Sequence, residues 1–534
     1  MNSNPSSYDK LKAVTIENSY LKIIPLLTIR LNNIHSLHYP EWFWEIVVGS
    51  WLIHFLSFYY DSLYEYKFSA KELLTDNNSM LSTIYSNLGD FLLRIRDPDH
   101  RMIYLKDLDF IKNRFFTASL AYHEPYRFKS FLCFFNNILD SVISILLSVS
   151  NQKLFIIDSF LNPTDKFKLL LRFNSLSSFL LPRLIRFRAL SNTVPNILMR
   201  DLLCIPPAND DDFINCVLSI LPYCLPTFFV ESFAEVLYRA KKVDQITTNK
   251  LVLTLKSHLH DDFLRLFIAL KKLKGSKWFI CQHGGHYGSG FFNHFEYYEK
   301  RVCNYFFTFG WSDAELCDKK TLRLGLPIYW RKCIRKAFPQ KLLIVLSDYC
   351  YGYTMIHCSW PTFEDLESYY SELRLICKRL CDILPDQVTI RLPQSKIGYG
   401  FDIKSYFEHY DLGRYFDSAQ NMSLLYSEAS VVLHTSNTTS FLETLFLDIP
   451  TSVYLNPKYW PLRSDSLSDF DSLNECGVVQ LNSDQAVERT LELFNNQTLW
   501  HNPRISFPVS RFKNKYCLQN TSLHKDLEFF LKNL

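Results

Sequence analysis

KLVLTLKSHLHDDFLRLFIALKKLKGSKWFICQHGGHYGSG, residues 250–290, contains the alternation on which the fold turns. KLVLTL (250–255) is a short apolar run of strand type. HDDFLRLFIALKKLKG follows with apolar residues at helical spacing and two acidic residues in its first turn, where the helix dipole favours them. KWFICQ (277–282) is a second strand, and NYFFTFG (304–310) a third after a helix around 293–302. Strands and helices alternating at this spacing predict a parallel, doubly wound sheet.

The pattern recurs downstream. After the basic, proline-bounded connector GLPIYWRKCIRKAFPQ, the runs KLLIVLSDY (341–349), QVTIRLP (387–393), SVVLHTS (430–436) and IPTSVYL (449–455) read as buried strands separated by helices. Upstream, residues 14–150 carry helical periodicity without a convincing strand. The sequence thus predicts an α/β protein: a helical region over 1–150, a first Rossmann-like half over 151–335, a second over 336–475, and C-terminal helices over 476–534 that pack back. Two such halves would face a cleft.

Composition narrows the function. With 58 Lys and Arg against 54 Asp and Glu, the net charge is only +4, and no dense basic block suits a nucleic-acid backbone. The start, MNSNPSSYDKLKAV, has no basic head followed by an apolar stretch, so a cytoplasmic location is expected. IVVGSWLIHFLSFYY (46–60) is shorter than the roughly 20 residues of a membrane span, and INCVLSILPYCLPTFFV (214–230) is broken by Pro222 and Pro226; both read as buried helices. The 14 cysteines include no C-x-x-C, and Cys377 and Cys381 share one helix face, as reduced core thiols would.

Ligands of parallel sheets collect where strands end. Residues 281–290 place four of the chain's 14 glycines and two of its 15 histidines at one such end. Gln282, His283, Gly284, Gly285, Tyr287 and Gly288 form a loop whose backbone can approach an anion, with His283 able to move a proton; a tight structural turn is the plainer reading. Glu296 and Glu299, at i,i+3 on the next helix, fit either a hydrogen-bonding face or, with His283, His286 and His294, a zinc site. No H-E-x-x-H or comparable zinc pattern is present, so no metal and no cofactor is expected. A second strand end, His434 through Ser440, offers Ser436, Asn437, Thr438 and Thr439 either as phosphate ligands or as an ordinary helix cap, with Glu443 one turn on. Arg391 ends an apolar strand and would meet a phosphate or a structural carboxylate. Ser347-Asp348-Tyr349 ends the strand beside it. Asp261 and Asp262 suit a helix start as well as a site carboxylate. No P-loop, G-x-G-x-x-G or G-x-S-x-G motif follows a strand.

Taken together, QHGGHYGSG, FEYYE and NYFFTFGW resemble the QHGG-x-YG, E-x-x-E and FxTWGW pattern of surface-carbohydrate transferases of the spirochaete type. YPEWFWEIVVGSWLIHFLSFYYDSLYEY, HTSNTTSFLETLFLDIPTSVYLNPKYWPLR and GVVQLN extend the resemblance over about residues 15–520. It implies a GT-B-like glycosyltransferase distantly similar to Kdo transferases, taking a nucleotide-sugar donor, with a CMP-sugar favoured. The acceptor would be a bacterial surface glycan or lipid-linked glycan, with peripheral membrane contact at the inner face. By that likeness His283 sits at the transfer centre, Arg391 and the Ser436–Thr439 turn hold the donor phosphate, and Glu443 contacts ribose or steadies the turn. Glu296 and then Asp262 are the further acid/base candidates. The chain departs from the pattern at His286, Asn304 and Phe309, which leaves a catalytically idle scaffold as the alternative, with a metal-dependent hydrolase behind it.

Overall fold

The computed structural model describes residues 7–65, 153–176 except 160 and 162, 194–206, 212–312, 320–326, 339–347, 363–393, 403–417, and 421–533 except 521. Residues 66–150 of the expected helical region, most of the basic connector, and Asp348 and Tyr349 lie outside them.

Two five-stranded parallel sheets organise the chain. The first contains β1 (Leu154–Ile156), β2 (Leu251–Thr254), β3 (Lys277–Cys281), β4 (Tyr305–Thr308) and β5 (Thr321–Arg323), side by side in sequence order. Successive side chains of a strand point to opposite faces, and both faces of this sheet are buried. Phe155, Val252, Trp278, Ile280 and Phe306 enter the large core beneath α1 (Ser7–His35), α2 (Glu41–Glu65), α5 (Phe233–Gln245), α6 (Asp262–Leu273) and α7 (His294–Val302), to which α4 (Asp212–Cys224) also contributes. Leu154, Ile156, Leu253, Phe279 and Phe307 pack on the other face against α3 (Pro163–Arg172) and a helix from the far end of the chain.

The N-terminal helices are therefore part of the first half's roof. Tyr298 Oη donates to the Ile46 carbonyl at 2.9 Å, Arg265 Nε to Val47 at 3.1 Å, and Arg301 pairs with Glu45 at 2.6 Å, so α2 is fastened to α6 and α7. The apolar runs at 46–60 and 214–230 are buried here, and no helix among the described residues is long and apolar enough to cross a membrane.

In the second half β6 (Lys341–Val345), β7 (Val388–Arg391), β8 (Ala429–His434), β9 (Thr451–Tyr454) and β10 (Val479–Gln480) lie in the order β7-β6-β8-β9-β10. The chain leaves β6 toward one edge and from β8 works toward the other, so the crossovers reverse between β6 and β8. That reversal opens a crevice at the carboxyl ends of these two strands. Helix α8 (Phe363–Ile383), which buries Cys377 and Cys381, covers one face with α12 (Ser483–Asn495), and α9 (Met422–Glu428) the other. Helix α10 (Thr439–Phe446) follows β8, and α11 (Ser464–Glu475) precedes β10, which carries the sheet a few residues past 475.

After α13 (Pro503–Tyr516) the tail returns to the first half. Leu518 N donates to Phe309 O at 2.8 Å, Leu326 N to Leu518 O at 2.9 Å, and α14 (Leu523–Asn533) places Leu527 and Leu531 beside α3 under the first sheet. The two halves also meet directly: 289–291 and 461–463 run antiparallel, bonded from Phe291 N to Pro461 O and from Arg463 N to Ser289 O, both at 3.0 Å.

Candidate functional site

The QHGG loop leaves β3 and is held from within. Gln282 is buried: its Oε1 accepts from Phe309 N and Trp311 Nε1, both at 2.8 Å, and its Nε2 donates to Gly284 O at 2.7 Å. Both ends of that amide bond to the protein, so Gln282 shapes the loop. Gly288 has φ +73°, and a Cβ there would lie 2.4 Å from the Trp311 ring, so both backbone and space require glycine.

His283, 15% exposed, points its Nε2 toward a buried cluster. Tyr287 Oη lies 2.8 Å away and Glu299 Oε1 3.2 Å away, while Tyr287 Oη donates to Glu299 Oε2 at 2.9 Å. Glu299 also has His258 Nε2 3.0 Å from Oε1. Burial raises the Glu299 carboxyl, yet the close approach of His283, with its hydrogen bond, and of His258 outweighs it and holds Glu299 below the ordinary range. Tyr287 is pushed well above its usual value by burial and by Glu299, so it remains a hydroxyl donor. His286 is buried and lowered to about 3, first by desolvation and then by His283; it is neutral and stays out of proton transfer near neutral pH.

Across the crevice, the turn after β8 forms a chain of hydroxyls. Ser347 Oγ at the end of β6 lies 2.5 Å from Ser436 Oγ, which donates to Thr438 Oγ1 at 3.3 Å; Thr438 Oγ1 lies 3.1 Å from Ser440 Oγ. Thr438 stands at the N-cap of α10 without a side-chain capping bond, so its hydroxyl serves this chain and not the helix amides. Thr438, Thr439 and Ser440 are partly exposed. His434 beneath them accepts and donates among Thr444 Oγ1 at 2.9 Å and Ser440 Oγ at 3.3 Å, and burial lowers it to about 3. Glu443, on α10, receives Tyr426 Oη at 2.7 Å; burial lifts its carboxyl to about 7, and the tyrosine bond pulls the other way. Arg391 is buried at the rim of β7. Burial lowers its pKa, Asp417 and Tyr426 oppose that, and Nη1 donates to Asp417 O at 3.0 Å.

The loop and the turn touch. A Cβ on Gly285 would fall 2.4 Å from the Thr438 carbonyl carbon and 2.5 Å from Thr439 N, so only glycine lets the first half's loop rest on the start of α10. Asn437 Nδ2 donates to Ser289 Oγ at 2.9 Å across the same junction. Glu296 accepts Gly288 N at 2.9 Å and the Arg463 guanidinium at 3.0 and 3.1 Å, which makes it a clasp between halves.

The model of the LIC12162 family transferase matches residues 5–531, nearly the whole chain. The chain belongs to the LIC12162 family of transferases. No curated protein sequence matches it. Among solved structures, Staphylococcus aureus MnaA in complex with UDP is similar over 57% of this chain and 82% of its own, at 9% identity and TM-score 0.37. Acinetobacter baumannii MurG is similar over 57% and 80%, at 10% identity and TM-score 0.32. At such scores neither likeness transfers an activity.

In this LIC12162 family transferase the residues read from the sequence fall into two groups. His283, Tyr287, Gly284 and Gly285 gather in the loop that meets Thr438 and Thr439, with Glu299 reaching it from α7 and Ser436, Arg391 and Glu443 on the second half's side. Glu296 and Asn437 instead join the halves, and Asp262 is paired with Arg265, whose other nitrogens reach the carbonyls of His258 at 2.6 Å and Val47. Asp262 thus holds the arginine that ties α6 to α2. Asp261 caps α6 by accepting Leu264 N at 2.9 Å, and burial lifts it to about 6. Among the described residues no three His, Cys, Asp or Glu side chains group as a metal site. Asn304 lies at the amino end of β4, accepting Trp278 N at 2.9 Å, so this departure sits one strand length, ~13 Å, from the loop. Sequence reasoning passed over His258, a histidine directly after the β2 strand, and Arg463 and Tyr426, whose roles exist only in the folded chain.

Proposed function

We propose that this transferase is a glycosyltransferase that moves a sugar from a nucleotide donor to a bacterial surface glycan. The observation that carries the reading is the contact of Gly285 with Thr438 and Thr439: it sets a histidine loop of one half against the hydroxyl-lined start of α10 in the other, at the crossover reversal where open parallel sheets take ligands. The donor phosphate lies at that crevice. The α10 amides and the hydroxyls of Ser436, Thr438 and Thr439 face its oxygens, and Arg391 supplies the positive charge from the rim of β7. Glu443, near neutrality, meets the ribose or steadies the turn. The motifs' resemblance to the spirochaete-type transferases, themselves distantly similar to Kdo transferases, favours CMP as the nucleotide, and the acceptor is a surface glycan, free or lipid-linked.

The chemistry asked of the protein is modest. The acceptor oxygen bonds to the anomeric carbon as the bond from that carbon to the donor phosphate oxygen breaks, and the phosphate leaves with the electron pair. The acceptor's hydroxyl proton passes to His283. Charge growing on the phosphate is stabilised by fixed donors in a crevice closed to bulk water.

Thermal unfolding with CMP, UMP, UDP, GDP and ADP tests the donor side. A nucleotide at about 100 times its Kd raises stability by about 2.7 kcal/mol, or roughly 2–3 °C for a chain of this size. A selective rise with CMP is expected. A folded sample indifferent to every nucleotide overturns the reading, and nucleotide binding without turnover by any CMP-sugar would favour the scaffold.

A further inference from the structure

We infer that Glu299, His258 and Tyr287 form a positioning network that fixes His283 as the Nε2–H tautomer and thereby makes Nδ1 the nitrogen that takes the acceptor's proton. The inference rests on the reading of His283 as the proton acceptor, and adds which atom acts and what holds it ready.

The network leaves few ways to place its protons. Glu299 is fully buried with Tyr287 Oη on one oxygen and the His283 and His258 rings on the other, and as the carboxylate these contacts favour it offers both oxygens as acceptors. Tyr287 has one hydroxyl proton and donates it to Glu299 Oε2 at 2.9 Å. Its oxygen is then an acceptor toward His283 Nε2, 2.8 Å away, and Glu299 Oε1, 3.2 Å away, is an acceptor too. A lone pair on Nε2 would face both; only Nε2–H satisfies them. His258, buried on the β2 side of the cluster, brings its own Nε2 within 3.0 Å of the same Oε1, a close contact without hydrogen-bond geometry that crowds the carboxylate from a second side.

With Nε2 protonated, Nδ1 carries the lone pair of the neutral ring. No hydrogen bond within the described residues engages Nδ1, whereas Glu299 and Tyr287 are sealed beneath the ring. When Nδ1 accepts the acceptor's proton, the imidazolium that forms stays against the Glu299 carboxylate. This has the logic of a nucleophile–histidine–acid triad with the two ring nitrogens exchanged. Glu299, Tyr287 and His258 are thus positioning residues that act through His283. The sequence-based assignment of Glu299 and Tyr287 to donor binding gives way to this role.

The tautomer can be read without any substrate, from nitrogen-15 spectra of imidazole-labelled protein, with His283 assigned by its loss in His283→Gln. Above the histidine titration range, wild type should show Nε2 as the protonated, pyrrole-type nitrogen and Nδ1 as the pyridine-type one. Glu299→Gln, which can turn an amide donor toward the ring, should mix or reverse the two signals, whereas Tyr287→Phe, which leaves the carboxylate in place, should keep them. A wild-type Nδ1–H form overturns the inference, as does a folded Glu299→Gln with unchanged signals. Because wild type alone can give the first result, an unfolded variant does not remove the test. A failed nucleotide screen would count against the transferase reading, and a wrong tautomer against the network.

Discussion

The Arg463 guanidinium donates to both oxygens of Glu296, at 3.0 and 3.1 Å, joining the segment before α11 in the second half to α7 in the first. Glu296 is 4% exposed and Arg463 21%. A carboxylate so buried depends on its partner more than the partner depends on it.

Removing Arg463 should therefore cost more than an exposed ion pair would. Arg463→Ala leaves the Glu296 charge with Gly288 N and the more distant Lys300, 3.8 Å away. We expect a loss of about 2–3 kcal/mol in urea unfolding, and less when Glu296→Gln is added, since the uncharged amide no longer needs the cation. A double-variant loss equal to the sum of the singles would contradict the clasp.

Gly285→Ala and Gly288→Ala should separate two kinds of damage. At Gly285 the added methyl meets the Thr438–Thr439 backbone, so loop and helix must move apart, while each half keeps its own core. Nucleotide stabilisation should fall by tenfold or more in apparent affinity, with the apo melting temperature little changed. At Gly288 the methyl meets Trp311 inside the first half and the backbone is left-handed, so the loss should appear as stability, about 2–3 kcal/mol. Equal melting temperatures for the two variants would be evidence against this division.

Gln282→Ala tests the brace under the loop. It strips the acceptor from two buried donors, Phe309 N and Trp311 Nε1, at roughly 1–3 kcal/mol each where water cannot enter. A drop of about 3 kcal/mol is expected, with a change in the Trp311 environment visible in tryptophan fluorescence. A loss under 1 kcal/mol would mean that the amide does not hold the loop.

What the sequence disclosed follows from how local each signal is. The strands after residue 250, the acidic start of α6 and the glycines of the loop are set by neighbours in the chain, and the sheets formed where they were expected. Strand order is not local: that the first sheet runs in sequence order while the second reverses between β6 and β8 depends on which strands pair. The same holds at the site. His283 was legible because it stands among glycines at a strand end. Glu296 and Glu299, three residues apart on one helix, were not distinguishable, since one turns to Arg463, 167 residues away, and the other to His283 and His258. Asn437, read as a phosphate ligand or part of a helix cap, also has a bond to Ser289 of the other half that no local pattern discloses.

Glu443 should give the protein a pH dependence of definite sign. Its carboxyl stands near 7 in the fold, raised first by burial and moderated by Tyr426, against an ordinary value of 4.5. A folded pKa above the unfolded one means that the native state holds the proton more tightly. Below about pH 4.5 both states are protonated and the group costs nothing. As pH rises from there toward 7 the unfolded chain ionises first, and stability falls until the folded carboxyl has ionised as well. The full penalty, on the order of 2 kcal/mol after allowance for partial exposure, is thus present above pH 7. Glu443→Gln keeps an acceptor for Tyr426 Oη and cannot ionise. The variant should match wild type near pH 4.5 and exceed it in urea unfolding at pH 8. A variant that is less stable than wild type at pH 8 would show that ionised Glu443 is stabilised there by a partner stronger than Tyr426, and Arg391, which shares Tyr426 as a neighbour, would be the first residue to replace.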